Sequence, residues 1–328
     1  RSSFLHGIFH LHKIFYTLDD IFLFRCLNVA LMVIINQEKL HEGAKTMQTL
    51  HKLSNRIFYL SPYQPTDRPI LGAIVGKNHT LLIDAGNSSQ HAKLFIEQLS
   101  ASSIKVDMLI LTHWHWDHVF GLSEIGIPSI ANSRTLKKIM ELQNYSWEDK
   151  ELDERVESGI EIPFCANAIK LELGSERNVH IPNPSIIFEK ELQLNLGGVT
   201  CIIERVDCDH SMDSNLIYIP EEKALFLGDC LYANMHAEKW HYTILRMEQL
   251  LKKIESYDAE IYFLSHHPAP LTRESFHEFT SLLKKGAYLT RIHHGNLEAI
   301  SIALSAELQR ELTEEDMEII HYFVNGYE

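Results

Sequence analysis

"ILTHWHWDHVFGL", Ile110 to Leu122, is the stretch on which the reading of this chain turns. A strand-forming run ends at Thr112, and His113, His115, Asp117 and His118 follow within six positions. Residues two apart in an extended or turning loop point the same way, so His113 and His115 can offer both imidazoles to one ion. Asp117 and His118 then turn toward a second position beside it. Any single one of the 20 histidines reads as an ordinary half-exposed residue, but this cluster reads as a metal site.

Working outward, "VDMLILT" is a buried strand that delivers the cluster at its C-terminal end, where loops in layered α/β folds carry chemistry. "RIFYL", "ILGAIVG" and "HTLLIDAG" are strands before it, and "SSQHAKLFIEQLSA" is an amphipathic helix with serines available as caps. Residues 133–180 predict a charged helical insertion that caps a substrate pocket. "SIIFEKELQLNLGGVTCIIERV" predicts a hairpin turning at Gly197–Gly198, and "SNLIYIPEEKALFLGD" a second one turning at "PEEK". "YTILRMEQLLKKIESY" is a helix, "AEIYFLSHH" a strand, and "RESFHEFTSLLKKG" a closing helix. From Ala287 the tail is mostly helical, with a capping-box pattern at Thr313. More candidate ligands sit at the ends of strand-like runs: Asp84, His210, Asp229 and His266.

Composition bounds the function. Hydrophobic residues at 45% and charged residues at 23% are ordinary for a globular chain, and 328 residues can form one α/β unit. A formal charge of −14 repels a phosphate backbone, so nucleic acid is not the expected partner. Five scattered cysteines without a C-x-x-C pair point to reduced thiols and a cytoplasmic setting. Residues 1–46 read as an upstream extension of little functional weight. Their apolar run Ile21–Asn36, broken by Arg25 and Asn28, is too short and polar for a membrane span. The ordered domain is expected over 47–286, with 287–328 as a helical tail.

The motif and the downstream ligands resemble those of the metallo-β-lactamase-fold hydrolases, over about Arg56 to Gly286. The resemblance implies an αββα sandwich, here with the helical insertion and helical tail. It implies one divalent ion on His113, His115 and His210, and a second on Asp117, His118 and His266. Asp229 matches the carboxylate bridging both, and Asp84 the acid that orients ligands. In "SHHPAP" His266 aligns best with the family's ligand, with His267 the alternative. Cys208 and Cys230 flank proposed ligands but read as small buried residues. Of Trp114 and Trp116, one is expected to line the pocket and the other to pack as core.

Two divalent ions, most simply zinc, with manganese or iron as alternatives, would supply a hydroxide nucleophile at neutral pH. Asp117 would help aim it, and no G-x-S-x-G motif suggests a serine nucleophile. The implied reaction is hydrolysis of an ester-like bond, a thioester, lactone, amide or phosphodiester, in a small molecule. "THWHWDH" is similar to the glyoxalase II variant, yet no G-R-x-F-E-G follows Asp229, where the chain reads "CLYANMHAEKWHYT". Asp229 itself argues against antibiotic hydrolysis as the native role. Two alternatives belong to other classes: a mononuclear iron persulfide dioxygenase and a non-catalytic metal-binding module.

Overall fold

The computed structural model describes residues 48–175 and 177–327; the extension expected over residues 1–46 lies outside them. The first sheet is built from β1 (Leu50–Lys52), β2 (Ile57–Leu60), β3 (Leu71–Val75), β4 (Thr80–Ile83), β5 (Met108–Ile110), β6 (Ser129–Asn132) and β7 (Ile186–Phe188), paired in that order. Pairing is antiparallel from β1 to β4 and parallel from β4 to β7. The second sheet holds β8 (Glu191–Asn195), β9 (Thr200–Arg205), β10 (Asn215–Ile219), β11 (Ala224–Gly228), β12 (Ile261–Leu264) and β13 (Leu271–Thr272). In it β11 and β12 are parallel and the other pairs antiparallel.

Several strands are buried on both faces, which is why their sequences read as continuous apolar runs. Leu81 and Ile83 of β4 enter the core between the sheets, while Leu82 packs on the outer side. In the second sheet Phe226 of β11 faces the same inner core, and Leu225 and Leu227 face outward. Helices cover the outer face of each sheet. The first sheet carries α1 (Ser89–Ala101), α2 (Trp116–Val119), α3 (Leu122–Ile125), α4 (Ser133–Leu142), α5 (Asp149–Glu157) and α6 (Pro163–Leu173). The second carries α7 (Ile244–Ile254) and α8 (Arg273–Ile292), against which α9 (Leu297–Leu308) and α10 (Glu314–Asn325) pack. The layers run helix, sheet, sheet, helix, the expected αββα order with a helical C-terminal region.

Three elements differ from the sequence reading. Ile186–Phe188 does not join the hairpin: it pairs with β6 at the edge of the first sheet, with Phe188 in the inner core. The hairpin is therefore β8–β9 alone. Beyond the two helices that "SRTLKKIMELQ" and "SWEDKELDERVESG" predict, the insertion holds a third, α6, which opens with Pro163 in its first turn. Its buried face is made partly of Ala166 and Ala168, whose small side chains give little apolar signal. The boundary expected at 286/287 falls inside α8. Gly286 does not stop that helix. A Cβ there would lie 3.0 Å from the Phe323 ring, so the missing side chain is what lets α10 approach closely.

No helix among the described residues is long and apolar enough to cross a membrane.

Candidate metal centre

Parallel pairing explains why the ligand candidates meet. β4 and β5 run side by side, as do β11 and β12, so each pair releases its C-terminal loops at one end. Asp84 follows β4, His113 to His118 follow β5, Asp229 follows β11 and His266 follows β12. The two sheets are locked together beside them. The Asn215 N–H donates to Thr112 O at 2.8 Å, and Asn215 Nδ2 donates to Leu111 O at 2.9 Å. Gly228 has φ 55°, and a Cβ there would stand 2.9 Å from Thr112 Cβ, so both backbone and space favour glycine.

Seven side chains converge. His113, His115 and His210 form one group, and Asp117, His118, Asp229 and His266 the other, with ligand atoms within 4.8 Å of one another in each. Asp229 Oδ2 lies between them. It is 3.7 Å from His113 Nε2 and 3.5 Å from His210 Nε2 on one side. On the other it is 3.2 Å from His118 Nε2 and 3.4 Å from His266 Nε2. Asp117 Oδ2 is 3.0 Å from His118 Nε2 and 3.2 Å from His266 Nε2.

Burial opposes charge on every member, and the neighbours decide who keeps it. Burial alone would raise the carboxyls of Asp117 and Asp229, but His118 and His266 overcome it and hold both well below the usual range. Burial would likewise strip the proton from His118 and His266; the surrounding carboxylates, Asp117, Asp84 and Asp229 for His118 and Asp229 and Asp67 for His266, hold it instead. His113, His115 and His210, buried among other imidazoles, are pushed down and stay neutral, the form that binds metal. The buried His210 Nε2 and Asp229 Oδ1 have no hydrogen-bond partner. Unpaired buried acceptors aimed inward, two ionised carboxylates and five imidazoles are a donor set that fits divalent cations.

Further residues steer this set. Asp84, in the left-handed region at φ 63°, accepts from the Thr112 N–H at 2.7 Å and from its hydroxyl at 2.8 Å. Its Oδ2 also meets His118 Nδ1 at 2.8 Å, which fixes the ring so that Nε2 points inward. Asp67, which the sequence reading missed, stands 3.3 Å from His266 Nδ1, where its charge favours the protonated ring without a hydrogen bond to it. Burial pushes its carboxyl up to about 7, against the opposing pull of His266. The "QPTDRP" run around it signals only a turn. Tyr232, also missed, has its ring 5.9 Å from that of His210 and 6.1 Å from that of His266. His267 is outside both groups, with Nδ1 at 2.6 Å from Ala269 O. His266→Ala should therefore lower metal content, and His267→Ala should leave it unchanged, as read by elemental analysis. The reverse would shift the ligand by one residue.

Cys208 and Cys230 are buried and free. Burial pushes the Cys208 thiol up to about 12, and it donates to Ser211 O and Ser214 Oγ rather than joining either group. Both tryptophans of the motif line the cavity described below, although Trp116 is also a buried core residue. Trp116 thus packs as core, as expected of one of the pair, and reaches the cavity as well.

The sequence profile of the metallo-beta-lactamase superfamily matches residues 72–266. The chain belongs to this superfamily. It is 22% identical over 194 residues to the beta-lactamase-like protein 2 homolog of Caenorhabditis elegans, across 56% of this chain and 53% of that one. It is 23% identical over 167 residues to the atrochrysone carboxyl ACP thioesterase of Claviceps purpurea (strain 20.1), across 51% of this chain and 40% of that one. The chain thus matches about half the length of these curated relatives, or less. Among solved structures it is similar to the stereoselective inverting sec-alkylsulfatase Pisa1 from Pseudomonas sp., with a TM-score of 0.56 at 16% identity. That match spans 83% of this chain and 47% of that one. At such identity the likeness concerns the fold.

On this superfamily frame the insertion forms one wall of a cavity of about 400 Å³ that opens onto the centre. Asp117, Asp229, His210 and His266 are at its base, and Tyr145, Trp147, Ile162 and Phe164 come from the insertion. The insertion is pinned to the frame at α6. Arg68 pairs with the buried Glu172 at 2.7 Å, and Ser88, the cap of α1, donates its hydroxyl to the same carboxylate. Arg155 is sandwiched near the rings of Tyr145 and Trp147, at 4.8 and 4.9 Å from their centroids.

Proposed function

We propose that the chain is a binuclear metal-dependent hydrolase that cleaves an ester-like bond in a small molecule. One observation carries this reading: a single oxygen, Asp229 Oδ2, faces both ligand groups at 3.2 to 3.7 Å. His113, His115 and His210 would hold one divalent ion, and Asp117, His118 and His266 the other, with zinc the natural fit to nitrogen and carboxylate donors and manganese or iron(II) as alternatives. When bound, two such ions lower the pKa of a shared water toward about 7 and polarise a carbonyl or phosphoryl oxygen.

The chain's own residues do the rest. Asp117 lines the cavity, so its ionised carboxylate is available to accept a hydrogen bond from the attacking water and aim it. Asp84 holds His118 in its orientation by a hydrogen bond, and the carboxylate of Asp67 stands beside His266. In the net reaction the water oxygen bonds to the acyl carbon, the bond from that carbon to sulfur, oxygen or nitrogen breaks, and the proton ends on the departing atom. The likeness to a carboxyl ACP thioesterase supports thioesters as the first bonds to try. A mononuclear iron oxidoreductase on the same ligands is the alternative, and metal count and oxygen consumption separate the two.

The test is elemental analysis of the untagged protein, followed by assays with thioesters, lactones and phosphodiesters. About two ions per chain with turnover supports the reading; about one iron, with oxygen consumed on a persulfide, overturns it. Loading should also depend on pH. His118 and His266 hold protons to higher pH than a free imidazole, and an arriving ion must displace them. Apparent affinity should therefore rise by about tenfold per pH unit for each displaced proton between pH 6 and 8, measured by competition with a chelator.

A further inference from the structure

The cavity wall contributed by the insertion has a chemistry of its own. Tyr145, Trp147, Ile160, Ile162 and Phe164, with Trp116 of α2 beside them, make it broad and apolar. Ile160 and Phe164 stand at its mouth 55% and 50% exposed, apolar surface that a ligand would cover. Among the described residues no lysine or arginine lines the cavity. Of the cations nearby, Lys138 lies over Trp114 and pairs with Glu141, and Arg155 lies against the rings of Tyr145 and Trp147, donates Nη1 to Ser146 O and interacts with Glu161 without lining the cavity. The wall's one carboxyl is Glu161. Its Oε1 accepts from the Ile162 N–H at 2.9 Å, and across the cavity it faces His236, whose ring is 5.3 Å from that of His115. Besides the Ile162 N–H the carboxyl accepts from the Cys165 thiol and feels Arg155 nearby; with two oxygens and about four lone-pair sites it keeps acceptor capacity toward the cavity.

We propose that this wall selects an uncharged aromatic acyl group carrying a hydroxyl that donates to Glu161, and rejects acyl groups that carry an anion. The proposal rests on the hydrolase reading and names the substrate class of that site. The metal ligands are at the base of the cavity, so the discrimination falls at the insertion wall, where an anionic substituent on the acyl group would lie beside Glu161 with no lysine or arginine among the described residues lining the cavity to offset it. In a partly desolvated cleft that repulsion is far stronger than in water. Burial raises the Glu161 carboxyl, so it suits a neutral hydroxyl as partner. An aromatic ring can meanwhile stack on the tryptophans in the offset or edge arrangements that such rings prefer. The cavity's volume lies within the range of about 300–1,000 Å³ that small organic ligands occupy.

The experiment uses the metal-loaded full chain and three thioesters of one thiol: phenylacetyl, 4-hydroxyphenylacetyl and 4-sulfophenylacetyl. The hydroxylated substrate should be preferred over the unsubstituted one by about tenfold in kcat/KM, and over the sulfonated one by about a hundredfold or more, the differences lying mainly in KM. Glu161→Gln should bring the first ratio toward one. Glu161→Lys should raise turnover of the sulfonated thioester at least tenfold while metal content stays at the parent value. A merely structural role for Glu161 would not invert a charge preference.

Binding is read separately, from quenching of tryptophan fluorescence by the matching ketones, 4-hydroxyphenylacetone and 4-sulfophenylacetone; three of the four tryptophans line the cavity. Should no thioester turn over, thioesters are excluded as the bond cleaved, the hydrolase reading is decided by its own metal analysis and its lactone and phosphodiester assays, and the ketone preference still decides this proposal. A sulfonated ketone that binds the parent chain as tightly as the hydroxylated one overturns it. So does a preference unmoved by Glu161→Lys.

Discussion

On the binuclear hydrolase reading, Asp229→Ala should reduce bound metal from about two ions per chain to one or none and lower kcat by about a thousandfold or more, the loss seen when a principal electrostatic contributor to a transition state is removed. The size follows from position. One oxygen of Asp229 faces four imidazole nitrogens of two groups, and the other oxygen is buried without a hydrogen-bond partner. No second side chain can take over, because Asp117 faces only His118 and His266. The metal-free chain should report the same carboxylate through its stability. Asp229 is held below the usual carboxylate range, so its contribution is present above about pH 4 and is lost as the pH falls through its folded pKa. His118 and His266 are held above the usual imidazole range; theirs is fully present below about pH 6.5 and fades as the pH rises through their folded values. The two windows overlap in mildly acidic solution. Thermal unfolding of the chelated protein should therefore show a larger loss from Asp229→Ala at pH 6 than at alkaline pH. Full metal content in this variant would exclude the bridging role.

How much of this was legible beforehand depended on whether a signal was local. His113, His115, Asp117 and His118 lie in one short loop, and strand-end positions made Asp84, His210, Asp229 and His266 readable as one set. Their convergence depends on parallel pairing of β4 with β5 and β11 with β12, which a buried strand's apolar run allows but does not encode. Asp67 reaches His266 from the far side of the sequence, 199 positions away by number, and nothing local marks it out. Glu161 and His236 had no motif either; their relevance arises only when the insertion folds over the centre. Gly286 misled for a physical reason. Glycine ends helices through its backbone freedom, yet here it is kept for the space its missing side chain leaves to Phe323. Ile186–Phe188 was assigned to the wrong partner because an apolar triplet fits an edge of either sheet, and only the crossover between sheets chooses.

Asp84 gives the second large effect, and one in which two substitutions separate two causes. Asp84→Ala deletes three hydrogen bonds to a carboxylate, from the Thr112 N–H, the Thr112 hydroxyl and His118 Nδ1. It also places alanine at φ 63°, a conformation costing an ordinary residue about 1–2 kcal/mol. With buried charged hydrogen bonds worth about 1.5–3 kcal/mol each and not additive, the metal-free chain should lose about 3–5 kcal/mol of stability in denaturant unfolding. Metal affinity should fall about 10–100-fold, since His118 is no longer aimed. Asp84→Asn keeps a residue that tolerates the left-handed backbone and keeps an acceptor for the Thr112 N–H. What it cannot keep is the acceptor for His118. With metal on Nε2, Nδ1 carries the proton, and an amide nitrogen in place of Oδ2 presents a donor to a donor. Most of the stability should return in the asparagine variant while the affinity loss persists. An asparagine variant that binds zinc as tightly as the parent would mean that Asp84 serves the loop and not the ligand.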